Sequence, residues 1–155
     1  MRNAWRLAAG VLLGLGALLH VGCNSQGPEI KGVVKLDGKL LDGVRVTFQP
    51  LGQKTELNGA VAETDSTGAF KIIPQADGTT LKPGKYGVTF SRMVDSQGKL
   101  PPERDRMMLQ MSRQLTETIP PKYASQFAPR GDAPPAEVRE IKNEPADLEF
   151  DLKSK

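Results

Sequence analysis

Apolar and polar residues alternate along seven short runs of the chain. Period-two alternation places every second side chain on the same side of an extended strand, so each run predicts a strand with one buried face. In the first run, Ile30, Gly32, Val34 and Leu36 fall on one side. The seven runs cover residues 30–36, 44–50, 60–63, 70–74, 85–91, 136–141 and 148–152.

Turn-forming residues separate these runs. Asp37-Gly38, Asp42-Gly43, the stretch 65–68 and Pro83-Gly84 each lie between two runs, where glycine supplies positive φ and aspartate bonds to nearby backbone. The chain contains 16 glycines and 12 prolines, which suits a domain rich in turns. The pattern predicts an all-β fold, a seven-stranded antiparallel sandwich.

The segment 92–119 interrupts the strand pattern. After two prolines at 101 and 102, the apolar residues return at helical spacing with charged residues between them, so a short amphipathic helix is expected near 103–116. The apolar residues of this face are Met107, Met108, Met111 and Leu115. The stripe has three interpretations: packing of the helix against the sandwich, a contact surface for a partner, or a thioether site of the methionines for cuprous copper.

The N-terminal 22 residues have the pattern of an export signal. Arg2 and Arg6 are the only charged residues before Cys23, and the apolar stretch 7–19 is shorter than a membrane span requires. Val21-Gly22-Cys23 then resembles the processing site of bacterial lipoproteins, which implies cleavage before Cys23 and acylation of its sulfur. We expect a signal peptide at 1–22, a lipid-anchored tether at 23–28 and a domain at 29–155 with an insertion at 92–119.

Removal of residues 1–22 would take the only histidine, His20, and leave 19 basic against 18 acidic residues. Such a balance provides no basic field for nucleic acid. With Cys23 acylated, neither a histidine general base, a cysteine nucleophile nor a Cys/His zinc site remains. No pair of carboxylates is singled out for glycoside cleavage either. The composition therefore predicts a non-enzymatic protein without a cofactor.

Three stretches resemble carboxypeptidase-regulatory-like domains of the transthyretin-like group. They are IKGVVKLDGKLLDGVRVTFQP at 30–50, ETDSTGAFKI at 63–72 and LKPGKYGVTF at 81–90. The resemblance implies a prealbumin/Ig-like Greek-key sandwich. It also implies a scaffold or interaction role, with no catalytic residues to assign.

Two further motifs have an ordinary explanation beside a functional one. The Asp-Ser-x-Gly stretches at Asp65 and Asp95 could offer oxygen ligands to calcium, but they lack the run of carboxylates of a calcium loop, and turns are favoured. Arg-Gly-Asp at 130–132 matches adhesion ligands, but it lies among prolines and is typical of a loop.

These observations predict a lipid-anchored structural or interaction module of the cell envelope. It would sit in the cell membrane or outer membrane through Cys23, facing the periplasm or the cell exterior, with an envelope protein as partner. The alternative is a small-ligand or metal-binding protein of the envelope, with copper or calcium as the metal.

Overall fold

The computed structural model describes residues 28–52, 58–73, 81–124 and 136–155. This part of the chain is built mainly from strands, with one helix, which confirms the all-β prediction. The strands are β1 (Ile30–Leu36), β2 (Lys39–Leu40), β3 (Arg45–Pro50), β4 (Ala60–Glu63), β5 (Ala69–Ile72), β6 (Gly84–Ser91), β7 (Met93–Val94), β8 (Thr116–Glu117), β9 (Glu137–Ile141) and β10 (Ala146–Leu152). The helix is α1 (Glu103–Met111).

Two four-stranded sheets make up the body of the described chain. In the first, β1 lies beside β10 on one edge and pairs with both β5 and β2 on the other. The second has the order β4-β3-β6-β9, with all neighbours antiparallel. We call these two sheets together the two-sheet body. A small third sheet pairs β7 with β8.

One strand pair departs from the antiparallel prediction. β1 and β10 run parallel, in register from Ile30 opposite Ala146 to Leu36 opposite Leu152. Parallel neighbours need a long connection rather than a hairpin, and here nearly the whole domain lies between the two strands. Local alternation within each run cannot report such a distant pairing.

The β1–β2 hairpin shows why the Asp-Gly dipeptide is a strong turn signal. Leu36 pairs with Lys39, so only Asp37 and Gly38 form the loop, and their φ angles are 51° and 79°. A two-residue loop of this kind needs positive φ at both positions, which aspartate tolerates and glycine adopts freely. The Asp37 backbone N–H also donates to the Leu152 carbonyl oxygen at 2.8 Å.

A single hydrophobic core receives side chains from both sheets. Phe150 of β10 lies at its centre, with ring centroids 5.0 Å from Phe90, 6.2 Å from Phe70 and 6.5 Å from Phe48. The pairs with Phe48 and Phe90 are edge-on and the pair with Phe70 is stacked, and aromatic pairs at these separations add to the stabilisation from area burial. The predicted inward residues of β3 and β6 are buried here; they are Val44, Val46, Phe48, Tyr86, Val88 and Phe90.

Gly32 of β1 leaves room for the ring of Phe70 on the neighbouring strand β5. The two residues are opposite each other in β1 and β5, and the Phe70 ring occupies the space that a side chain at 32 would need. A Cβ at this position would lie 2.5 Å from the Leu148 carbonyl oxygen and 2.7 Å from the ring. The strand therefore requires glycine for close approach, as glycine within strands often signals.

The predicted helix is shorter than expected. It begins at Glu103 as predicted but ends at Met111, because Arg113 adopts a positive φ of 55°. The Gln114 N–H donates to Leu109 O and the Arg113 N–H to Gln110 O, which is the pair of bonds of a Schellman motif. Residues 116 and 117 then form β8 instead of a last helical turn. Within the described residues, no helix is long and apolar enough to cross a membrane.

Candidate interaction surface on the inserted helix

The helix and the small third sheet both belong to the segment 92–119. β7 follows β6 in the chain, α1 begins directly after Pro101 and Pro102, and β8 comes next and pairs with β7. Glu103 and Asp105 lie in the first helical turn, where acidic side chains favour the positive end of the helix dipole. The segment that interrupts the strand pattern is therefore an ordered addition to the two-sheet body.

Arg106 attaches the helix to the second sheet. Its Nη1 donates to Glu63 Oε2 at the end of β4, at 2.7 Å, and its Nε donates to Pro101 O at 3.2 Å. The guanidinium of Arg106 holds the pKa of Glu63 below its ordinary value of 4.5, and Glu63 raises the pKa of Arg106. This ion pair is the direct polar link between α1 and the body.

Two more polar contacts hold the base of the segment. Arg92 Nη2 lies 2.9 Å from Asp42 Oδ1, and its Nε donates to Asp42 O at 2.8 Å, with the Arg92 side chain only 15% exposed. The Glu117 carboxylate accepts from Ser91 Oγ, Arg92 N and Ile119 N at 2.7, 2.8 and 3.0 Å. Both ends of the segment are thus fixed where they leave the body.

The three methionines of the helix point away from the body. Met107, Met108 and Met111 are 74%, 66% and 81% exposed, and no residue of α1 is buried. The prediction that a methionine stripe packs the helix onto the sandwich is therefore wrong. Together with Arg104 and Ser112, these residues line a shallow, largely apolar depression. We call the side chains of Met107, Met108 and Met111 the methionine face.

Leu115 does not belong to this surface, although its spacing predicted that it would. The helix ends before it, and its half-buried side chain lines a cavity of about 110 Å³ between the helix and the second sheet. Gly43 and Leu100 line the same cavity, and the Leu100 side chain occupies the space beside Gly43. The packing role that was expected of the methionines falls to these residues instead.

A second depression, which the sequence pattern did not reveal, lies on the outer side of the first sheet. Its volume is about 770 Å³, and Val33 and Ala69, opposite each other in β1 and β5, lie in its lining. Charged side chains of both signs surround them; they are Lys31, Glu63, Asp65, Lys71, Asp147 and Glu149. The alternation of β1, β5 and β10 places Lys31, Lys71, Asp147 and Glu149 outward, and Glu63 and Asp65 join them from β4 and the turn after it, but no single run shows this combination.

Some of the charged residues that line this depression form salt bridges with residues beside them. Lys31 and Lys71 are opposite each other in the sheet, where like charges repel. Glu29 lies between them and forms a salt bridge with each, which lowers the pKa of Glu29. Lys35 similarly contacts Glu149 at 2.7 Å.

The two aspartate stretches form turns, as their sequences predicted. Asp65 Oδ1 accepts from the Thr67 hydroxyl at 2.6 Å and from the N–H groups of Thr67 and Ala69 at 2.8 and 3.1 Å. The bond from the Thr67 hydroxyl, followed by the two backbone bonds, lowers the pKa of Asp65. Asp95 Oδ1 accepts from Gln97 N and Lys99 N at 2.8 and 2.9 Å. In the described ranges, no group of three or more His, Cys, Asp or Glu side chains is placed to hold a metal ion.

Several predicted features lie outside the described residues. They are the signal peptide at 1–22, Cys23 as the expected lipid attachment site, residues 23–27 of the tether, and the Arg-Gly-Asp tripeptide at 130–132.

Comparison with known proteins gives little to extend this description. No family model matches the chain, and no curated protein matches it. Among solved structures, a protein from Pseudomonas aeruginosa that has been proposed to bind carbohydrate is similar over 83% of this chain and 88% of its own, with 11% identity and a TM-score of 0.39. A likeness at this level identifies neither a fold family nor a function.

Proposed function

We propose that this protein is a non-enzymatic, lipid-anchored interaction module of the cell envelope. It is held in the cell membrane or outer membrane by acylated Cys23, faces the periplasm or the exterior, and binds an envelope protein partner through the methionine face. The observation that carries this proposal is the exposure of three neighbouring methionines on a helix whose segment is fixed by ion pairs at Arg92 and Arg106. Exposed apolar clusters of this kind are typical of contact sites.

The proposed fold is a prealbumin-like Greek-key sandwich of seven main strands. Tyr86 supports this assignment, because its hydroxyl donates to Lys82 O at 2.8 Å, four residues upstream and just before β6. A tyrosine near the start of a strand that bonds back to upstream backbone resembles the tyrosine corner of Greek-key sandwiches. Burial raises the pKa of Tyr86, so the phenol stays protonated and able to donate at neutral pH.

The anchor is tested by the intact mass of the protein extracted from membranes. We expect the mass of residues 23–155 plus acyl chains, and a Cys23→Ala variant that keeps its N-terminal segment and gains no lipid. An uncleaved wild-type chain, or an unmodified Cys23, would contradict the lipoprotein assignment.

The docking role is tested by photo-crosslinking in cells. A photoreactive phenylalanine derivative is placed at Met108 and, as the control, at Gln49, an exposed residue on β3. We expect one defined adduct from position 108 and none from position 49. Equal labelling from both positions, or none from either, would contradict a specific contact through the methionine face.

The depression on the first sheet favours a second candidate, a small polar ligand. Its mixed charges would suit a ligand that carries both signs, and Glu29 would have to release one lysine to admit an anionic group. Screening zwitterionic compounds by thermal shift tests this candidate, with Val33→Lys, which fills the centre, as the variant that should lose any stabilisation.

A further inference from the structure

We propose that Met107, Met108 and Met111 form a binding site for a soft monovalent metal ion of the cuprous class. This inference goes beyond the docking role, and it does not depend on the lipid anchor.

Helix geometry brings the three thioethers together. Residues three and four positions apart are neighbours on a helix surface, with Cβ atoms about 5–6 Å apart. Met111 stands in this relation to both Met108 and Met107, and all three lie within α1. Each methionine side chain has three rotatable bonds, so the sulfur atoms can turn toward a common point above the helix.

Exposure leaves these side chains free to bind. The three residues are 66–81% exposed and contribute nothing to the core. By contrast, the leucine nearest to them beyond the helix, Leu115, is half-buried and lines the cavity beneath α1. The helix therefore uses other residues for its packing and directs all three thioethers to solvent.

The chemistry of the surrounding residues selects for a soft ion. Thioether sulfur prefers Cu(I) and related soft ions, whereas Ca²⁺ and Mg²⁺ prefer oxygen ligands. The depression is lined by the three methionines, Arg104 and Ser112, with no carboxylate among them. The Ser112 hydroxyl is already bonded to Met108 O and Leu109 O. The Arg104 guanidinium lies 3.6 Å from the Asp105 carboxylate, so its charge beside the depression is partly balanced.

The test uses Ag(I), a redox-stable ion of the same class, in chloride-free buffer. Every chain carries Cys23→Ala, so that a free thiol cannot compete for the metal. The full chain in detergent is compared with a Met107→Leu/Met108→Leu/Met111→Leu variant. Leucine keeps the size, apolar character and helix propensity of methionine, so this variant should fold normally. Met93→Leu, on β7 outside the helix, is the matched control.

We expect one Ag(I) per chain by native mass spectrometry, with chemical-shift changes at the methyl groups of the three helix methionines. The triple variant should lose this ion while Met93→Leu retains it. A single Met108→Leu change should weaken binding by at least the roughly 10–100-fold that follows loss of a supporting residue around a metal. Calcium should leave the methyl signals unchanged.

Two outcomes would overturn the proposal. One is the absence of Ag(I) binding by the folded chain, and the other is unchanged binding by the triple leucine variant. Both are distinguishable from failure of the docking role, because the leucine variant keeps an apolar face. A crosslinker at Gln110 is placed in both the wild-type chain and the leucine variant, and the same adduct from both would show that docking does not need the thioethers, whereas only the Ag(I) measurements decide on metal binding.

Discussion

The two-sheet body and the inserted helix are held by different forces. In the body, large apolar side chains from both sheets are almost completely buried, and Phe48, Phe90 and Phe150 share ring contacts. The inserted segment buries Val94 and Ile119 near its two ends, but its helix has no buried residue and is attached to the body by the Arg106–Glu63 ion pair. The body therefore has many contacts that must be kept, whereas the outer surface of the helix has almost none. Because the outer side chains of the helix do not pack against the body, they can be substituted to suit a partner or a ligand without loss of the fold.

The largest contrast between the two regions should appear on truncation to alanine. Phe150→Ala would leave a cavity among three aromatic rings and should lower the free energy of unfolding by about 3–5 kcal/mol. Met108→Ala removes an exposed side chain and should change it by less than about 0.5 kcal/mol. Urea unfolding of both variants checks this difference. A similar loss from both changes would mean that the helix surface is part of the core.

The second prediction concerns the stability lost when a methyl group is added where the β1 backbone lies close to its neighbours. Gly32→Ala places a methyl group 2.5 Å from the Leu148 carbonyl oxygen and 2.7 Å from the Phe70 ring. We expect a loss of about 1–3 kcal/mol, because β1 and β10 would have to separate slightly. Gly98→Ala, in the turn of the insertion with nothing within 4 Å of the added methyl, is the comparison for steric space.

Gly98 has a positive φ of 76°, so its alanine variant measures backbone strain alone. Gly32 is not among the glycines with positive φ, so its alanine variant reports steric crowding without this strain. Thermal unfolding of the two variants gives both values. A loss of less than about 0.5 kcal/mol at Gly32 would show that crowding at β1 is unimportant.

The smallest expected effect concerns the ion pair between the two regions. A double-mutant cycle of Glu63→Gln and Arg106→Gln should give a coupling of about 0.2–1 kcal/mol at pH 7, since both side chains are about one-third exposed. The folded-state pKa of Glu63 is lowered, so this stabilisation is present above 4.5 and is lost as the pH falls through the lower folded-state value.

Amide hydrogen exchange in α1 reports this coupling locally, because helix opening need not unfold the body. We expect faster exchange in the helix of either single variant, and little change in β1. Exchange that rises equally in both regions would show that they unfold as one unit.

Seven of the ten described strands could be predicted from the sequence, because each carries its own alternating run, whereas β2, β7 and β8 have two residues each and show no alternation. In β3 and β6, the alternating residues that predicted a buried face are the residues that the core contains. Asp37-Gly38 likewise forms the tight turn that its residue types favour. The parallel pairing of β1 with β10 was out of reach, because it depends on residues more than 100 positions apart.

The helix shows where periodicity misleads. Met107, Met108, Met111 and Leu115 share the spacing of a buried stripe, yet three of them are exposed and the fourth lies beyond the helix. Spacing reports which residues share a face, but not whether that face meets the body. The end of the helix could not be predicted from the apolar spacing either. Arg113 ends the helix with a positive φ, which is usually found at glycine.

The parallel pairing of β1 and β10 has a mechanical consequence. A pull on the residues that precede β1 acts at its Ile30 end, whereas the residues after β10 leave it at the Leu152 end. Tension between these two points loads the hydrogen bonds of the pair in shear, so the bonds along the full length of both strands share the force. Strands that met in a hairpin would instead be unzipped one bond at a time. β1 and β10 therefore form a clamp that resists stretching of the domain between Ile30 and Leu152.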